Sequence, residues 1–134
     1  MSLFSTRNGI LGSGNAKLLD TQSFYTRDTY LVPAQVIYIW AKIWGSGGGG
    51  GDKGAGSFYP VGGGAAYIEG LIKVAPNQLL DIYVGIGGKK ESSSGSGGGG
   101  GGGAASGGAG GSSSHSGAGG GGSSGIFIGG TPFL

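Results

Sequence analysis

The sequence predicts an all-β fold, a small antiparallel sandwich or meander with glycine-rich loops. Three observations point there. No stretch carries the 3.6-residue apolar period of an amphipathic helix. Several short stretches alternate along the chain as pleated strands do. Glycine, 38 of 134 residues, falls in runs that punctuate those stretches. With only 4 prolines and no Gly-X-Y period, the composition is not that of collagen.

Residues 1–20 mix apolar positions (Leu3, Phe4, Ile10, Leu11, Leu18, Leu19) with turn residues at Asn8-Gly9 and Gly12-Ser13-Gly14-Asn15, and match neither period well. They read as an extended docking arm with at most one short strand or turn. A tail laid over its own domain is the plain alternative. Residues 21–134 read as one glycine-rich β domain. Its β unit spans 21–88, a tract of Gly, Ser and Ala spans 92–125, and an apolar C-terminal strand lies in 126–134.

Within the β unit, residues 21–32 are rich in Thr, Tyr and Phe, which favour pleated surfaces. Residues 36–44 carry the strongest strand signal. Ile37, Ile39, Ala41 and Ile43 line one face; Val36, Tyr38, Trp40, Lys42 and Trp44 line the other, so both faces should be at least partly covered. In residues 66–74, Ala66, Ile68, Ile72 and Val74 oppose Tyr67, Glu69, Leu71 and Lys73. Pro76-Asn77 reads as a turn. Residues 79–86 alternate again, with Leu80, Ile82, Val84 and Ile86 on one side. Glycine runs at 45–56, 62–64 and 87–88 adjoin these strands, which suits loops gathered at one end or edge of a sheet.

The tract at 92–125 should be a flexible linker by composition. Ordering it would cost roughly 1–2 kcal/mol per residue of backbone entropy, and more for glycine. Few side chains are available to offset that, so order must come from backbone hydrogen bonds, close packing, or neighbouring subunits. One arrangement is a bundle of extended segments with three residues per turn, like polyproline II but with every N–H retained. Ala104-Ala105-Ser106, Ala109 and Ser112-Ser113-Ser114 would then mark exterior corners. The return to Ile126-Phe127-Ile128 predicts a strand added to the β unit, pinning the tract at both ends.

Charged residues make up 10% of the chain, and the net charge of +2 is scattered, without the basic cluster of a nucleic-acid footprint. No cysteine is present, which removes disulfides, thiolate zinc sites and cysteine nucleophiles. No apolar run approaches the roughly 20 residues of a membrane span. The first residues lack the pattern of a signal peptide.

The order of motifs carries a family resemblance. Val32-Pro33-Ala34 leads into a strand ending Ile43-Trp44-Gly45, followed by glycines at 47–51. Then come Gly62-Gly63-Gly64-Ala65-Ala66-Tyr67, Val74-Ala75-Pro76-Asn77-Gln78 and Tyr83-Val84-Gly85-Ile86-Gly87-Gly88. Over roughly residues 31–130 this resembles the glycine-rich domain of bacteriophage tail-fibre and other virion proteins. The chain departs from that pattern at Gln35 and Asn77, where glycines are usual, which bears on local turn geometry. The resemblance implies a viral surface or tail component and no catalytic residues.

Catalytic chemistry finds little to build on. His115 lies among Ser113, Ser114 and Ser116, with no acid nearby in sequence. One His and no Cys argue against a metal site. The carboxylates are dispersed. Gly87-Gly88-Lys89-Lys90 lacks the first glycine of a phosphate loop, where Tyr83 stands, and the hydroxyl residue after the lysine. Phe58 and Tyr59, in a glycine-rich loop beside Pro60, could stack on a sugar or anchor a protein partner, or simply cover the sheet end.

The expectation is a non-enzymatic virion structural protein without cofactors, capsid- or tail-associated. Its expected partners are other virion proteins and copies of itself, with no nucleic acid and no membrane span. Two alternatives compete. One is a receptor-binding tip or adhesin presenting Phe58, Tyr59 and His115 to a host glycan or protein. The other is a non-viral glycine-rich structural protein.

Overall fold

Alternating β-branched and aromatic residues form strands wherever glycine does not interrupt them. A computed structural model describes residues 2–7, 18–51, 61–90, 97–111 and 117–134, and their side chains from residue 21 onward. The described residues contain no helix; the strands form antiparallel sheets, an all-β fold. Contacts divide the chain into two units. One comprises Met1–Ile43, Tyr67–Ile82 and Gly125–Leu134; the other comprises Trp44–Ala66 and Tyr83–Ser124.

The described residues form eight strands: β1 (Ser2–Arg7), β2 (Leu18–Ser23), β3 (Asp28–Leu31), β4 (Val36–Trp44), β5 (Tyr67–Lys73), β6 (Leu79–Tyr83), β7 (Gly125–Ile128) and β8 (Thr131–Pro132). They make two four-stranded sheets, ordered β2-β1-β4-β5 and β3-β6-β7-β8. The segment read as an arm supplies β1, which pairs antiparallel with both β2 and β4 of its own chain: Phe4 lies opposite Thr21 on one side and Trp40 on the other. The aromatic and Thr-rich stretch 21–32 is divided between β2 and β3 by a bend at 25–27.

Each sheet contributes a buried row. Ile39, Ala41 and Ile43 come from β4; Tyr30, Leu80, Ile82 and Ile126 come from β3, β6 and β7. Phe24 meets Tyr30 edge to face, with ring centroids 6.2 Å apart. This is the core of a small sandwich, and burying each large aliphatic side chain stabilises it by roughly 1.5–3 kcal/mol. Residues 126–128 join the second sheet within β7, as the apolar return after the tract predicts. A two-residue turn at Gly129-Gly130, with φ of 55° and 81°, then leads into β8. Positive φ at both central positions is the backbone of a tight hairpin, and only glycine adopts it cheaply.

Both departures from the resemblance fall in turns. Ala75-Pro76-Asn77-Gln78 closes with Gln78 N–H donating to Ala75 O at 3.2 Å, and Asn77 has φ 58°. Proline followed by a positive-φ residue is the type II pattern, and asparagine is the residue that best substitutes for glycine there. Around Gln35, Val36 N–H donates to Pro33 O at 3.0 Å; Gln35 is not at positive φ, so this turn does not need glycine.

The second unit is built almost entirely of backbone. The glycine runs expected as loops, together with the described part of the tract, form extended struts at 45–51, 61–66, 84–90, 97–104, 105–111 and 117–124, joined by hydrogen bonds. The expected strand 79–86 accordingly stops at Tyr83, because from there the chain bonds to glycine neighbours: Ile86 N–H donates to Gly102 O at 2.7 Å. Bonds between struts recur at every third residue. Gly98, Gly101 and Ala104 donate to Gly117, Gly120 and Ser123; Gly117, Gly120 and Ser123 donate to Gly111, Gly108 and Ala105. A step of three residues is the period of the polyproline II conformation, here with the N–H groups used. Consecutive struts run in opposite directions. Strut 117–124 bonds to struts 45–51, 84–90, 97–104 and 105–111, which makes it the hub of the unit.

Glycine is needed in the struts for close approach. Among the described strut glycines, only Gly103 has a positive φ. A β-carbon on Gly101 would overlap the carbonyl of Ile86, one on Gly100 that of Gly107, and one on Gly122 that of Gly102. By contrast, Gly63, Gly64, Gly108 and Gly111 have nothing within 4 Å of that position. Ala105, Ser106 and Ala109 are exposed, as corner residues should be, and Ala104 and Ala105 lie in the bend at 103–105 between two struts. The Ser112–Ser114 corner lies outside the described residues.

Candidate functional site

Phe58, Tyr59 and His115, the residues that the sequence singles out for partner or receptor contact, lie outside the described residues. Among the described residues, no three His, Cys, Asp or Glu side chains group as a metal site. No helix there is long and apolar enough to cross a membrane.

The feature that stands out is the outer face of β4 and β5. Because Ile39, Ala41 and Ile43 turn into the core, Tyr38, Trp40 and Lys42 turn outward. Strand β5 aligns Glu69 with them: its Oε2 lies 3.6 Å from Lys42 Nζ and accepts a hydrogen bond from the Tyr67 hydroxyl at 2.6 Å. The Trp40 side chain also donates to Glu69. One carboxylate thus ties together three neighbours from two strands. Leu71 follows Glu69 on the same row of β5.

The hub has an electrostatic signature. The Tyr67 hydroxyl holds the Glu69 carboxyl below its usual range, helped by the Lys42 charge and the Trp40 and Lys42 hydrogen bonds and opposed by desolvation. In return, the bond to Glu69, then desolvation and the negative charge, push the Tyr67 phenol up to about 12. Both groups are solvent-facing, so these shifts describe orientation more than stability.

Around this hub the face is apolar and open: Trp40 is 39% exposed, Tyr67 47% and Leu71 54%. The face is partly covered, as 36–44 leads one to expect: Val36 is buried, while Tyr38, Trp40 and Trp44 are half-exposed. An exposed aromatic and aliphatic patch with a fixed polar centre suits docking of a macromolecular surface. The sequence carried a usable signal for Tyr67 and Leu71, since they alternate opposite an isoleucine row, but their exposure depends on what the fold leaves uncovered.

No family model, curated protein or solved structure matches the chain.

Proposed function

We propose that the chain is a non-enzymatic structural component of a virion, capsid- or tail-associated, acting through assembly with other virion proteins and with copies of itself. The observation that carries this reading is the strut unit. A tract that composition assigns to a flexible linker is instead a backbone-bonded bundle, in which the interior positions exclude even a β-carbon. Such an element supplies stiffness and shape with almost no side-chain chemistry, which suits a building part. The outer face of β4 and β5 supports the same reading, because its apolar residues are displayed around a fixed carboxylate rather than enclosed in a pocket. The motif resemblance over residues 31–130 directs the reading to virion proteins.

The test is mass spectrometry and immunogold labelling of particles purified from the source of the gene. The expected outcome is the chain at fixed stoichiometry in the particles. Its absence from particles, with the chain recovered only free, would contradict the reading.

A further inference from the structure

Strand β5 ends the sheet order β2-β1-β4-β5, and its backbone phase can be fixed. Val74 N–H donates to Ile37 O at 2.9 Å, and Ala66 O accepts from Gly45 N–H at 2.9 Å. Backbone groups in an antiparallel strand face alternate sides. The even-numbered residues therefore address β4, and Tyr67, Glu69, Leu71 and Lys73 turn their N–H and C=O groups to the outer edge.

Two of the usual protections of an edge are missing from β5. The seven-residue strand holds no proline, and its inward row, Ile68, Gly70 and Ile72, carries no charge. Ile68 is 52% exposed, although it belongs to the row that ends at buried Val74.

We propose that a second copy of the chain pairs with this edge, β5 against β5, antiparallel, about a two-fold axis at Gly70. The strand is complementary to itself in that register. Tyr67 falls opposite Lys73 of the second copy and Glu69 opposite Leu71, so every outward residue meets an outward residue. Ile68 falls beside Ile72 of the second copy, which extends the apolar row across the seam. Glu69 of one copy lies diagonal to Lys73 of the second, where opposite charges attract, and also to the second copy's Glu69, a repulsion that the Lys42 ammonium, 3.6 Å from Glu69 in each chain, offsets. A slip of one residue would oppose outward groups to inward ones, and larger slips shorten the pairing. At the axis, a β-carbon on Gly70 would meet nothing within 4 Å of its own chain. The pairing would join the two sheets into one continuous sheet and leave the outer aromatic face open. This deepens the assembly reading by naming one partner.

Sedimentation equilibrium of the full chain over a concentration series tests the proposal, with circular dichroism as the check on folding. The wild type is expected to dimerise. Leu71→Pro removes an outward N–H that β4 does not use, and the two-fold axis repeats the loss. Two bonds at roughly 0.5–1.5 kcal/mol each weaken the dimer about tenfold to a hundredfold. Leu71→Ala keeps the N–H and should leave the dimer much closer to wild type. A chain monomeric at every concentration, or a dimer indifferent to Leu71→Pro, overturns the proposal. Should Leu71→Pro not fold, Gly70→Cys decides. The chain has no cysteine of its own, and residues facing each other in this type of pair lie about 4.5 Å apart, within disulfide reach. A covalent dimer on mild oxidation is expected, and failure to cross-link overturns the pairing. A monomeric chain that is nonetheless found in purified particles would overturn this inference and leave the virion reading standing.

Discussion

The two units of this chain are stabilised by opposite means. In the sandwich, side chains do the work: Ile39, Leu80, Ile82 and Ile126 are fully buried. In the strut unit, side chains are nearly absent, and order comes from carbonyls and amides that approach closely because no β-carbon intervenes. Glycine therefore has two structural uses in this chain. At Gly129-Gly130 it supplies dihedrals that other residues avoid; at Gly98, Gly101 and Gly122 it supplies space. The two uses predict different responses to the same added methyl group.

The contrast can be broken from either side. The largest effect should come from removing side-chain volume in the sandwich: Ile39→Ala or Leu80→Ala should cost about 2–5 kcal/mol in chemical denaturation. In the strut unit the sign reverses, since adding volume is what harms. Gly101→Ala drives a methyl into the Ile86 carbonyl and should cost about 1–3 kcal/mol or more. Gly108→Ala has open space and an ordinary φ, so it should be neutral or stabilise by about 0.4–1 kcal/mol through the unfolded chain. Equal costs at Gly101 and Gly108 would show that the struts do not pack as described.

Smaller effects sharpen the picture. Ser46 is one of the few side chains serving the struts; its hydroxyl lies 2.8 Å from Ile86 O and 2.6 Å from Gly122 O, sharing one hydrogen between two carbonyls. Ser46→Ala should cost about 0.5–1.5 kcal/mol. The smallest effect on stability belongs to the exposed Tyr67–Glu69 pair, and its readout is a titration. Tyr67 is raised, so its contribution is full below pH 10 and is lost as pH rises through about 12. Glu69 is lowered, so its contribution is present above the ordinary carboxylate pKa and is lost as pH falls through the lowered value. Phenolate absorbance of Tyr67 should titrate near 12, and Glu69→Gln should bring it back toward 10. An unchanged midpoint would remove Glu69 as the hub of the outer face.

Legibility in the sequence follows the same division. Strands β4, β6 and β7 could be read because their apolar rows alternate and glycine marks their ends. Strand β1 could not: Leu3, Ser5 and Arg7 alternate with Ser2, Phe4 and Thr6, so neither row is apolar, and its pairing with β4 is a long-range fact. The possibility of packed extended glycine segments could be argued from entropy and the lack of side chains. Their membership could not, because a run of glycines does not reveal which third residue faces which neighbour, and the early runs at 45–51 and 61–66 look like loops. The outer face was half legible: alternation groups Tyr38 with Trp40 and Tyr67 with Leu71, but it does not say that the two rows share a face or how far that face is covered.

The described part of the glycine tract is folded by its own backbone. Residue-resolved hydrogen exchange on the isolated chain tests it most directly. Protected amides are expected at Gly98, Gly101, Gly107, Gly110, Gly117 and Gly120, in step with the three-residue bonding period. Rapid exchange at all of these positions, with protection confined to the sandwich strands, would contradict it.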